Sequence, residues 1–207
     1  EFRRVLFRSK LPVAGVVTVY HKNSHADVIV GKVLEGWAQD GGIGPDLKLV
    51  SLYVDQVGDN DLSVPLAKKH GFLSAKTIRE ALTLGTDSLA VAGVLSIGEH
   101  GKYPSVPGTD QVMFPRRRFF DEIAATFKTC KKVVPVFSDK HLSYNWSDAK
   151  HMFDLSRELR IPFMAGSSVP VMWRNPSATI PIGSEVTEAI ALGYGGLEHY
   201  GFHSLEG

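Results

Sequence analysis

The stretch Val13–Val54, VAGVVTVYHKNSHADVIVGKVLEGWAQDGGIGPDLKLVSLYV, decides the fold class. It opens on a short β-branched apolar run, Val13–Tyr20, which reads as a buried strand. Ser24 then stands as an N-cap before HADVIVGKVLEGW, where Val28, Val33, Leu34 and Trp37 recur at helical spacing. A Gly-rich break, Asp40–Pro45, leads to a second apolar strand, Leu47–Val54. Two strands apolar throughout and joined by a helix form a βαβ unit, and such units build parallel sheets with both faces covered.

The same alternation continues outward. A helix is expected around Asp61–His70, stopped by Gly71, then a short apolar piece at Phe72 and a small helix over Thr77–Leu84. Leu89–Ile97, Val133–Phe137 and Ile161–Ala165 read as further strands. Between them lie helices from about Arg116 to Lys131 and over Trp146–Leu159, the latter with Ala149, Met152, Phe153 and Leu159 on one face. The expected fold is α/β: a doubly wound, mostly parallel Rossmann-like sheet with helices on both faces.

Composition agrees with one such unit. Of 207 residues, 43% are hydrophobic and 22% charged, which excludes a disordered tail or a coiled coil. No run of about 18 apolar residues occurs, so no membrane-spanning helix is expected. A single cysteine, Cys130, excludes an intrachain disulfide and any cysteine-built metal cluster. A net charge of +1 gives no general attraction to nucleic acid or membrane, and a free thiol suits a cytoplasmic setting. Homo-oligomerisation is compatible with the sequence but not read from it.

The ends are less regular. Glu1–Lys10 carries four of the 23 basic residues and one of the 22 acidic ones, and it resembles a non-native leader more than a folded segment. Residues 11–168 then form the Rossmann-like, nucleotide-binding-type domain. Residues 169–207 are expected to be a connecting segment or the start of a second, truncated domain, so the chain reads as a fragment. Within it, Val186–Leu192 reads as an apolar helix stopped by Gly193-Tyr194-Gly195-Gly196.

In open parallel sheets the ligand crevice lies outside the carboxyl ends of the strands. His21, Lys22, Ser24 and His25 follow the first strand, and Asp55 follows the second. Glu99 and His100 follow the Leu89 strand, Asp139-Lys140-His141 the Val133 strand, and Ser167-Ser168 the last. Strand alternation would turn only Lys140, or Asp139 together with His141, toward the crevice. Ser24 serves equally as a helix cap, and Asp55 as a ribose acceptor or a turn residue. His70 and His151 fall on helices as surface residues. Arg116-Arg117-Arg118 opens a helix against its dipole and either pairs with acidic neighbours or grips an anion.

Strand, capped helix, strand ending in Asp55, and a later strand ending Asp139-Lys140-His141 before a long helix resemble the Gfo/Idh/MocA oxidoreductases. That resemblance covers about Leu11–Ser168. It implies an enzyme dependent on NAD or NADP that acts on a sugar or cyclitol-like small molecule. Asp139-Lys140-His141 matches the family's Glu-Lys-Pro motif, so Lys140 is implied as the catalytic proton-handling residue. His100 and His141 are further catalytic candidates. His21, Lys22, Ser24, His25, Asp55 and Glu99 are the cofactor-binding candidates. The chain departs from the pattern in having no G-x-G-x-x-G after its first strand: Val19–Ala26 reads VYHKNSHA. That loop either holds phosphate through Lys22 and Ser24 or binds no dinucleotide.

Two other classes remain at this level. One is a non-catalytic sugar-binding or assembly protein on the same scaffold. The other is a metal-dependent hydrolase or lyase using His25, Glu99, His100, Asp139 and His141, although no helical metal-ligand spacing occurs and no metal site is assigned.

Overall fold

A computed structural model describes residues 9–173, 175, 177, 180–196 and 200–206. All but Ser9 and Lys10 of the expected leader lies outside them. The strands are β1 (Leu11–Val17), β2 (Leu47–Val54), β3 (Leu73–Ala75), β4 (Gly93–Ile97), β5 (Val136–Asp139) and β6 (Phe163–Gly166). The helices are α1 (His25–Glu35), α2 (Ser63–His70), α3 (Ile78–Thr83), α4 (Arg116–Cys130), α5 (Trp146–Glu158) and α6 (Phe202–Glu206). One sheet runs β3-β2-β1-β4-β5-β6, with every neighbouring pair parallel. The doubly wound α/β fold is therefore as expected.

Two apolar layers flank the sheet because the central strands are apolar on both sides. Val13 and Val17 pack with Ala26, Val30 and Val33 of α1 and with Leu49 and Leu52 of β2. Ala14 and Val16 point the other way, into a layer built from α3, α4 and α5 around Phe119, Phe120, Ile123, Phe127 and Met152. Burying each such aromatic side chain contributes on the order of 2–3 kcal/mol.

Local chemistry sets the boundaries. Ser24 caps α1 through its hydroxyl, Thr77 caps α3 and Asn145 caps α5. Gly71 ends α2 in the left-handed region at φ 73°, a conformation that glycine adopts without strain. β5 starts at Val136, after Pro135, which has no N–H to give to a ladder.

Several expectations are corrected. The short piece at Phe72 leads into a genuine edge strand, β3, too brief for periodicity to reveal. On α1, Val28 is 46% exposed, because the helix turns Ala26, Val30 and Val33 to the sheet instead, and Trp37, 58% exposed, lies in the turn beyond the helix's Gly36 cap. On α5, Met152 is buried while Phe153 is half exposed. The stretch Val186–Leu192 forms no helix and carries its apolar side chains in solvent. No helix among the described residues is long and apolar enough to cross a membrane.

Candidate functional site

β1 and β4 are neighbours whose connections leave in opposite directions, α1 toward β2 and α4 toward β5. A crevice opens at their carboxyl ends, and ligands bind there in sheets of this order. Thr18 ties the two loops together by donating its hydroxyl to the Glu99 carbonyl at 2.5 Å.

His25, the first residue of α1, points Nδ1 at the buried Asp139 carboxylate, 2.5 Å away. An Nδ1–H donated to that carboxylate leaves Nε2 as the free proton acceptor. His100 packs edge-on against His25 and His21, with ring centroids 5.1 and 5.9 Å away. Burial, and then the neighbouring His25, hold the His100 imidazole below its ordinary pKa. His100 itself sits in the left-handed region at φ 65°, a conformation uncommon for histidine.

Lys140 also has positive φ, 72°, and its N–H pairs with Gly166 O just past the end of β5. This turn breaks strand alternation, so all three motif residues reach the crevice rather than one or two. Asp139 meets His25, Lys140 meets His203 and His141 meets Arg116. Lys140 Nζ lies 2.7 Å from His203 Nε2, and His203 Nδ1 lies 3.0 Å from Glu206 Oε2. An ammonium donating to Nε2 and Nδ1–H donating to the carboxylate form one continuous proton path. Ser167 adds its hydroxyl to Glu206 at 2.5 Å; the carboxyl is pushed up by burial but held below its usual range overall by Ser167 and His203.

Arg116 opens α4 and is 2% exposed. It pairs with Glu99 and donates from one terminal nitrogen to His141 Nε2 at 3.2 Å. Gly98 makes room for it: a Cβ there would stand 2.6 Å from Arg116 Cγ. Burial first, then the cations of Arg116 and Lys140, lower the His141 pKa to about 4. His25, Glu99, His100, Arg116, Lys140, His141 and His203 line one cavity of about 230 Å³, closed by Phe114, Tyr200 and Phe202. His25 and Lys140 also border an apolar groove of about 600 Å³ running over Val28, Trp37, Leu95 and Phe137.

The remaining candidates lie elsewhere. Asp55 accepts from Tyr53 and Tyr103, each at 2.7 Å, and pairs with Arg118. Those bonds outweigh burial and keep its carboxyl below the ordinary range. Lys22 is exposed, 3.9 Å from Asp27. Arg117 pairs with Asp121 and Asp148, and Arg118 with Asp55 and Glu122, so these two arginines of the triplet are paired with acidic neighbours. His151 bonds Asp121 at 2.7 Å and His70 bonds Glu35 at 2.6 Å. Arg116 as an inward-facing group, His203 and Glu206 are the site residues that sequence reasoning missed. Among the described residues no three His, Cys, Asp or Glu side chains are grouped to hold a metal ion.

A dinucleotide in this fold rests its pyrophosphate on the first helix's N-terminal amides. Here one first-turn amide, that of Asp27, and two loop amides, those of His21 and Asn23, are taken up within the chain. Ser24, fully buried, accepts from Asp27 N at 3.2 Å and from His21 N at 3.3 Å, and Asp27 accepts from Asn23 N at 2.8 Å. The Asp27 carboxylate already sits at the positive end of the helix. The residues at this terminus do not fit a pyrophosphate. A cavity of about 610 Å³ between the ends of β1, β2 and β4, with His21, Gln56, Asp59, Asn60 and Lys102 in its wall, lies beside it.

No family model matches the chain, and neither does any curated protein. Solved structures do. GenD2 from gentamicin A biosynthesis, in complex with NAD, is 16% identical over 77% of this chain and 35% of that one, with a TM-score of 0.49. A Gfo/Idh/MocA family oxidoreductase from Vibrio cholerae is 21% identical over 77% and 39%, with a TM-score of 0.44. UDP-N-acetylglucosamine 3-dehydrogenase from Acidithiobacillus ferrooxidans is 10% identical over 77% and 38%, with a TM-score of 0.44. The chain thus spans between a third and two fifths of the length of the structures it resembles.

Proposed function

We propose that this chain is the Rossmann-like part of an oxidoreductase of the Gfo/Idh/MocA type, acting on a sugar or cyclitol-like small molecule. The observation that carries the reading is the Lys140–His203–Glu206 path opening into a crevice-end cavity. Conversion between a carbinol and a carbonyl requires the hydroxyl proton to be taken up or returned. Lys140 stands at the cavity wall to exchange that proton, and His203 with Glu206 behind it disperses the charge. The free Nε2 of His25, oriented by Asp139, is a second base in the same cavity wall. Histidine, lysine and carboxylate groups suit the hydroxyls of a polyol, which both donate and accept.

NAD or NADP belongs to this reading only by a grip other than the amides of α1. No step is therefore derived through it. The test is conversion of a panel of sugars and cyclitols by the full-length protein supplied with NAD or NADP as hydride acceptor, followed by chromatography. Lys140→Ala is expected to slow conversion by ~10²–10⁴-fold while the ligand still raises the melting temperature. A Lys140→Ala protein as active as its parent refutes the reading.

The Asp27 carboxylate at the N-terminus of α1, where a pyrophosphate would rest, favours a second reading, a sugar-binding protein without catalysis on the same scaffold. Under it the parent binds the ligand and converts nothing, and Lys140→Ala leaves affinity unchanged.

A further inference from the structure

Arg116 is the largest fully buried side chain among the described residues, and most of its hydrogen-bonding capacity is unspent. A guanidinium has five N–H donors. One goes to Glu99 and one to His141 Nε2, while Nε has no partner among the described residues. Unmet donors on a buried cation are costly, and the usual remedy is an acceptor supplied by the protein or by a ligand. Arg116 lines the 230 Å³ cavity, with Lys140 also in its wall. Arg116 and Lys140 therefore share the wall of a cavity in which Glu99 is the one carboxylate among the described lining residues. Asp139 stands behind His25 and is bonded to it.

Gly98 supports the view that this position is built. A side chain there would displace Arg116, and the ring of Phe114 lies 5.1 Å from the guanidinium carbon. A surface arginine needs neither feature. The planar fork of an arginine matches a carboxylate in geometry as well as charge.

We propose that the cavity holds the carboxylate of a sugar acid or similar polyhydroxy acid, with Arg116 as its anchor and the carbinol turned toward Lys140. The proposal rests on the reading given above and narrows its substrate class. It makes Arg116 a specificity-determining residue rather than a structural ion pair.

The experiment compares calorimetric binding of gluconate and of glucitol, its uncharged counterpart, to the full chain. Gluconate is expected to bind about 10-fold or more tightly than glucitol, the usual gain from a charge-assisted bidentate contact. Arg116→Lys keeps the charge but loses the fork, and should reduce that ratio severalfold. Arg116→Gln should bring it close to one. Should Arg116→Gln alone fail to fold, leaving Glu99 buried and unpaired, the double variant Arg116→Gln/Glu99→Gln removes both charges and keeps the test open. Equal affinity for the two probes, failure of both to bind, or a ratio unchanged in the folded variants overturns the proposal. Turnover of neutral polyols that depends on Lys140, with no preference for the acid, would sink this inference and leave the proposed function standing. Selective binding of gluconate without turnover would do the reverse.

Discussion

Replacing His141 by glutamine removes a titrating group while keeping a side chain of similar reach. His141 is held neutral in the folded protein, its pKa lowered from 6.5 to about 4 by burial and by the cations of Arg116 and Lys140. Unfolding returns the imidazole to its ordinary value. Between the two values the unfolded chain binds a proton that the folded chain refuses. Stability is therefore lost as pH falls through that window, and the effect vanishes above pH 6.5. Linkage for a shift of this size gives about 2 kcal/mol at about pH 5. Partial exposure of the ring to solvent reduces that to about 1 kcal/mol. Urea unfolding at about pH 7 and about pH 5 measures it, with the parent losing about 1 kcal/mol more than His141→Gln. His100 is shifted in the same direction and contributes to both proteins, so it cancels in the difference. An identical pH response in parent and variant refutes the argument that Arg116 and Lys140 keep this imidazole uncharged.

Two further substitutions probe the supports of the site. Ser24→Ala strips a buried acceptor from the amides of Asp27 and His21, and should cost about 1–2 kcal/mol by urea unfolding; a loss within error of zero would show that neither bond matters. Gly98→Ala drives a methyl group against Arg116 Cγ and should cost about 1–3 kcal/mol. The same change should erode discrimination between gluconate and glucitol, and full retention of it would show that Arg116 can act from a shifted position.

The order of elements was legible because each strand of the sheet centre is apolar on both faces and four of the helices carry their own punctuation. Ser24, Thr77 and Asn145 cap as their residue types predict, and Gly71 stops α2. What escaped depends on tertiary geometry. The exposed side of α1 could not be told from the buried one, since Val28 is as apolar as the residues that pack, and the helix ends at Glu35, before Trp37 can share its face. Alternation failed at Asp139-Lys140-His141 because Lys140 leaves the extended region. His203 and Glu206 lie more than sixty residues beyond Lys140 in sequence, and spacing carries no trace of that pairing. Arg116 did leave a signal. Arg117 and Arg118 each have an acid four residues on, Asp121 and Glu122, whereas Arg116 has Phe120. On a helix the residue four along shares a face, so an arginine aligned with a core phenylalanine faces inward.

The strand order has a consequence for synthesis. β1 takes β2 on one side early, but its other side waits for β4, and the Thr18–Ile97 contact joins residues 79 apart. At about 5–20 residues per second, a ribosome needs about 4–16 s to supply that second partner. Throughout that interval a strand that lies in the middle of the finished sheet keeps at least one open edge. Nascent chains are therefore most vulnerable to mispairing before Ile97 emerges, and the molecule's central strand is the last of its first half to be completed.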